Sequence, residues 1–244
     1  MPEKTADKKK KTVVVKRARG LVVDFDYALI DGIGALKKAC AKVLEAAGVK
    51  ADEGAFVRRF FGKNATDALR ASLGPEAELE EAAASISADM DEAAETAPAN
   101  STIQTICKHV LDANAQVAFV TMRTPGIVEA RIAELGLEGA IVLKTDRTAN
   151  FGEYPDDIWS RAAHALKLNA RLCTAIVASA TSVLHAMMVG MRTAAFTNPA
   201  IGFQDFSGVD FIASPKSGAG AVDAVVGLVK LRALTPEAPV EFAE

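Results

Sequence analysis

Short apolar runs punctuate the chain within 19–31 and at 116–120, 140–143, 174–178 and 193–196, and a last one ends at Ile212. Each is too short for a helix and reads as a buried strand. Stretches of helical period separate the later runs, over 125–135, 155–166 and 182–188, and one over 219–231 closes the pattern. Strands alternating with helices call for a parallel sheet covered on both faces, an α/β, Rossmann-like core of three layers. A β-like run at 13–15 keeps no firm place in this scheme.

The interval between the first two strands breaks the alternation. A helix over 33–47 places Leu36, Cys40, Val43, Leu44 and Ala47 on one face, with Gly48 as its stop. Helices over 53–60, 65–73 and 75–94 follow before any new strand, so the pattern predicts a helical insertion. The last of them carries Leu79, Ala83, Ile86 and Met90 on one face. Glu76, Glu78, Glu80, Glu81, Asp89, Asp91, Glu92 and Glu95 cover the rest, which reads as a solvated surface. Ile103, Ile106, Cys107, Val110 and Leu111 then mark a helix that re-enters the core behind the N-cap candidates Asn100 and Ser101. The expected division is a basic tail over 1–17, a core of 18–31 plus 100–233, a helical cap over 32–99 and a C-terminal tail over 234–244. Pro98 and its small neighbours suit a hinge.

Composition narrows the class. At 244 residues with 50% hydrophobic content, the chain can bury a large core. It shows neither an apolar run of membrane-spanning length nor a signal-peptide core, so the expected location is cytoplasmic. Cys40, Cys107 and Cys173 are odd in number and set among apolar residues, as reduced core thiols would be. Residues 1–20 hold eight Lys and Arg against Glu3 and Asp7, leaving 20 bases against 29 acids downstream. No aromatic residue interleaves the 8–11 lysine run, so nucleic acid is not expected as a partner beyond that tail.

The candidate chemistry lies at the end of the first strand, where Asp24 and Asp26 stand one residue apart. Two carboxylates about 5 Å apart repel by roughly 3 kcal/mol at an effective dielectric of about 20. A cation or a cage of hydrogen bonds must balance them, unless the acids merely cap the next helix.

Asp24, Asp26, Leu29 and Asp31 match the first motif of the haloacid dehalogenase-like hydrolases, Asp-x-Asp-Gly-Thr-Leu followed by a hydrophobic residue and Asp. Tyr27 and Ala28 replace the usual Gly and Thr. The chain resembles that family, in its β-phosphoglucomutase-like branch, over roughly 18–215. The resemblance implies a nucleophile at Asp24, a general acid/base at Asp26, and Mg²⁺ held by the Asp24 carboxylate and the Asp26 carbonyl. Thr121 matches the second motif, whose hydroxyl and adjacent backbone amides hold phosphoryl oxygens, which makes Thr121, Met122 and Arg123 the phosphate-binding candidates, although Met122 stands where the family usually has a small polar residue. Residues 60–64 are similar to the loop by which the cap reaches the site, with Lys63 as the residue to watch.

Two further motifs depart from the family. Aligning 152–159 puts Glu153 where the family has Lys, and a shift by one puts Tyr154 there, which is no better. Ser179 stands where an acid should help hold the metal, and no Asp or Glu occurs between Asp157 and Asp205. Arg123 or Lys144 are the candidate compensating cations, and Glu153 a candidate relocated metal ligand. Ser179 superficially suits a Mg²⁺-independent dehalogenase, but the Lys of that chemistry is missing. His109, His164 and His185 have no Ser or Cys partner suggested by a motif, which leaves a catalytic triad without support. The expectation is a family relative that is catalytically impaired or silent and binds Mg²⁺ weakly. The alternative is an altered Mg²⁺-dependent phosphatase or phosphomutase working through an aspartyl-phosphate. Its partner would be a small phosphorylated metabolite or a protein, with no membrane involved.

Overall fold

A computed structural model describes residues 19–50, 52–61, 65–75, 79–145, 154–214 and 217–230. Six strands form one parallel sheet: β1 (Gly20–Asp24), β2 (Gln116–Thr121), β3 (Ile141–Lys144), β4 (Cys173–Val177), β5 (Arg192–Phe196) and β6 (Phe211–Ala213). Their order is β3-β2-β1-β4-β5-β6. Val22 sits between Ala118 and Ala175, and all five residues of β1 and of β4 are buried. Burial on both faces explains why these strands read as continuous apolar runs rather than as alternating ones. Because the chain turns left from β1 and resumes at β4 on the right, a crevice opens at the carboxyl ends of β1 and β4. The registers bring Asp24 level with Val120, one residue before Thr121.

Four helices separate β1 from β2: α1 (Gly32–Ala46), α2 (Glu53–Phe60), α3 (Ala65–Leu73) and α4 (Leu79–Thr96). The described residues of this interval hold no strand of the sheet. Its entry and exit are stitched together: Ile30 and Ala99 form an isolated antiparallel bridge, and the Asn100 amide donates to Leu29 O at 2.7 Å. Then come α5 (Ser101–Asp112), α6 (Pro125–Glu134), α7 (Ile158–Ala165), α8 (Ala180–Met188) and α9 (Gly218–Lys230). Asn100 caps α5, accepting from the Thr102 and Ile103 amides. Trp159, Phe25, Phe56, Phe60 and Phe119 are among the largest wholly buried side chains. All three cysteines are free and buried, and burial pushes their thiols up. No helix among the described residues is long and apolar enough to cross a membrane.

Two features differ from the sequence reading. The strand after Asp24 gives way to a π-helical turn over Phe25–Leu29, closed by the Ile30 amide on Phe25 O at 3.1 Å. The acids of α4 are not uniformly solvated. Glu80, Glu81, Glu92 and Glu95 are exposed, whereas Asp89 pairs with Lys42 of α1 at 2.8 Å and Asp91 pairs with Arg123. The 13–15 run, the two tails, Lys63 and Glu153 lie outside the described residues.

Candidate active site

Asp24 ends β1 and starts the π-helical turn, accepting the Tyr27 amide on Oδ1 at 2.9 Å. That amide belongs to the first turn and would otherwise lack a partner. Asp31 caps α1 in the same way through the Gly34 amide at 3.1 Å. The turn carries Asp26 toward the end of β2, where Thr121 Oγ1 donates to Oδ1 and the Met122 amide donates to Oδ2, each at 2.7 Å. The Arg123 amide in turn donates to Thr121 Oγ1 at 2.9 Å.

Both carboxylates have no exposed surface. Burial, and then the charge of Asp26, pushes the Asp24 carboxyl up to about 7 against the pull of its hydrogen bonds from Tyr27, Tyr154 and Ala178. Burial also raises Asp26, opposed first by the charge of Arg123 and then by its own hydrogen bonds. The cage of hydrogen bonds that the acidic pair required is therefore present, built from the amides of Tyr27, Ala178 and Met122, a hydroxyl and a phenol.

That phenol is Tyr154. Its Oη donates to Asp24 Oδ1 at 2.8 Å, lies 3.1 Å from Val120 O, and accepts the Asp26 amide at 3.4 Å. Burial raises the phenol well above its ordinary value, and the two carboxylates raise it further, so it stays a neutral donor. Sequence reasoning passed this residue over because it sought a cation. The available signal was position, since Tyr154 falls where the third-motif Lys is expected after a shift of one. Its ring meets Trp159 edge-on at 6.0 Å and Tyr27 at 6.4 Å, and Tyr27 meets Phe61 of the insertion at 5.5 Å. Tyr27, which stands in place of the family's Gly, is itself buried, and this run of rings connects the insertion to the acidic pair.

Of the remaining sequence candidates, Met122 is buried beside Asp26 and contributes its amide. Arg123 is also buried, but its Nη1 turns to α4, donating to Ser87 O and to Asp91 Oδ1 at 3.3 Å each. Ser179 is the N-cap of α8, accepting from the Ser182 amide at 3.2 Å, next to the Ala178 amide that serves Asp24. Lys144 ends β3 beside Thr121 in register.

The described donors do not fit Mg²⁺. Both oxygens of Asp26 hold hydrogen bonds, and its carbonyl lies against α1 so closely that a Cβ at Gly32 would overlap the oxygen. Asp24 Oδ2 is left as a buried oxygen without a partner. Among the described residues no group of three acids, histidines or cysteines could hold a metal, whereas Mg²⁺ asks for near-octahedral oxygen coordination.

A scan of family models and a search of curated proteins find no match. Solved structures do match. CbbY from Rhodobacter sphaeroides, in complex with phosphate, is 15% identical with a TM-score of 0.65, over 85% of this chain and 100% of its own. A haloacid dehalogenase family hydrolase from Deinococcus radiodurans R1, with bound phosphate and sodium, is 17% identical with a TM-score of 0.63, over 87% and 98%. A family IA, variant 3 hydrolase from Entamoeba histolytica is 13% identical with a TM-score of 0.66, over 87% and 99%. Sheet order, inserted helices and these likenesses agree: the chain has the fold of the haloacid dehalogenase-like hydrolases.

Proposed function

We propose that this chain is a catalytically silent relative of the haloacid dehalogenase-like hydrolases, in which the acidic pair has become a buried polar core. The observation that carries this reading is the carboxylate of Asp26. It occupies, at 2.7 Å each, the Thr121 hydroxyl and the Met122 amide, the donors that the family resemblance assigns to phosphoryl oxygens. An incoming phosphate would have to displace a buried carboxylate from two short, charge-assisted hydrogen bonds. No cation is hydrogen-bonded to Asp24 among the described residues, and Mg²⁺ has too few free oxygens to bind tightly. The working partner is then a protein or a small phosphorylated metabolite bound without turnover. The buried reduced thiols suit a cytoplasmic setting.

The test is a panel of small phosphate esters with Mg²⁺, run on the native chain beside Asp24→Asn. No turnover above the variant is expected. Hydrolysis that disappears with Asp24→Asn would overturn the silent reading.

A second reading rests on Asp24 Oδ2, the buried oxygen without a partner. In an altered phosphohydrolase this atom attacks phosphorus, the ester oxygen leaves with a proton from Asp26, and water then cleaves the aspartyl-phosphate. The same panel decides between the two readings.

A further inference from the structure

Thr124 is the N-cap residue of α6, yet its side chain makes no capping hydrogen bond to that helix. Its hydroxyl points instead across to the insertion and donates to Asp91 Oδ2 at 3.1 Å. Asp91 Oδ1 accepts from Arg123 Nη1 at 3.3 Å, and the same nitrogen donates to Ser87 O, one turn earlier on α4. A single carboxylate from the insertion therefore takes one donor from each of two consecutive residues at the start of α6. Carboxylates are favoured near a helix N-terminus, where backbone amides lack partners.

The pair is asymmetric in burial. The Arg123 side chain is 3% exposed and that of Asp91 29%. Arg123 also faces Asp26, whose carboxyl its charge lowers, so one buried cation lies between the acid of the candidate site and the acid of the insertion. A buried guanidinium without a counter-charge is unfavourable, and that favours keeping α4 in place.

We infer that Asp91 is an internal anion that latches the helical insertion shut over the acidic pair, by holding Arg123 and Thr124 at the start of α6. The inference goes beyond the silent reading and does not require it, because the latch concerns access to the crevice and not chemistry within it. Asp89 provides a control two residues away on the same helix. Its partner Lys42 lies on α1, so that ion pair is internal to the insertion and ties nothing to the sheet.

The experiment is hydrogen–deuterium exchange on the full chain, comparing Asp91→Asn, Thr124→Val and Asp89→Asn with the native protein. Asp91→Asn should speed exchange over 25–30 and 119–124 on the order of tenfold, as loss of a charge-assisted contact predicts, while 173–177 in the sheet centre keeps its protection. Thr124→Val, which removes one arm, should do less, and Asp89→Asn should leave both segments unchanged. Three results overturn the latch: unchanged exchange in Asp91→Asn, an equal rise in 173–177, or an equal response to Asp89→Asn. Should Asp91→Asn fail to fold, Thr124→Val carries the test alone, since it keeps the charges and changes one hydroxyl. The phosphate ester panel is run on the same variants. Turnover appearing only in Asp91→Asn keeps the latch, as an autoinhibitory contact, and overturns the silent reading. Faster exchange without turnover supports both.

Discussion

Tyr154 Oη donates to Asp24 Oδ1 at 2.8 Å, although 130 positions of sequence separate the two residues. Both side chains are buried, so this hydrogen bond is one of the few compensations a hidden carboxyl has. Tyr154→Phe should cost about 1–3 kcal/mol, as expected when a buried acceptor loses its donor without a change of shape. Denaturant unfolding at pH 7 measures it. A change within a few tenths of a kcal/mol would mean that the crevice rearranges or admits water.

The Asp24 carboxyl rises from 3.8 to about 7 in the folded chain, chiefly through burial. The folded state therefore holds a proton that the unfolded state releases. The resulting stabilisation is complete below about pH 4, falls as pH climbs toward 7, and is gone above it. The slope approaches about 1.4 kcal/mol per pH unit between those limits. Asp26 is raised as well and acts in the same direction. Asp24→Asn, which cannot ionise, should flatten the decline and exceed the native chain in stability at pH 8. Unfolding curves of both proteins from pH 5 to 8 check the sign, and parallel pH profiles would contradict it.

Gly32 opens α1 directly against the Asp26 carbonyl, and a Cβ there would overlap backbone rather than a movable side chain. Gly32→Ala should therefore destabilise by about 1–3 kcal/mol, as overpacking does, despite the better helix propensity of Ala. Gly126, near the start of α6, has open space around its position, so Gly126→Ala should be neutral or stabilising. Thermal unfolding of the two variants gives opposite signs if the carbonyl contact is the cause.

Restoring the missing groups tests the silent reading. Tyr154 already touches Asp24, so Tyr154→Lys should set a cation beside it. Ser179→Asp keeps an N-cap side chain on α8 and adds an acid beside the amide of Ala178. The native chain should bind Mg²⁺ only at about millimolar or weaker affinity, and the double variant more tightly, by calorimetric titration. Gains in ester hydrolysis should be non-additive, because a carboxylate without the cation crowds the acids further. A folded double variant that stays silent would place the block at Tyr27 and at the hold of Asp26 on Thr121 and Met122.

The positions of the strands along the chain, the inserted helices and the acidic pair were legible in the sequence because each is a local signal. Apolar runs mark buried strands, a period near 3.6 marks helices, and Asp24 with Asp26 at a strand exit marks a site. The range expected for α2 coincides with the observed Glu53–Phe60, which Asp52 caps at its start, and α3 ends at Leu73 as expected, before Gly74. The partners of the site's polar atoms were decided by tertiary structure alone. Thr121 meets Asp26 rather than a ligand because the register of β1 on β2 and the π-helical turn aim that carboxylate at the end of β2. Tyr154 meets Asp24 because the helix that follows it, α7, packs on β1 and β2, and Asp91 leaves the solvated face of α4 because α4 packs beside α6. Periodicity reports which face of an element is apolar, but a hydrogen bond depends on positions within a few tenths of an ångström between segments far apart in sequence. Only the packed sheet and helices fix those positions.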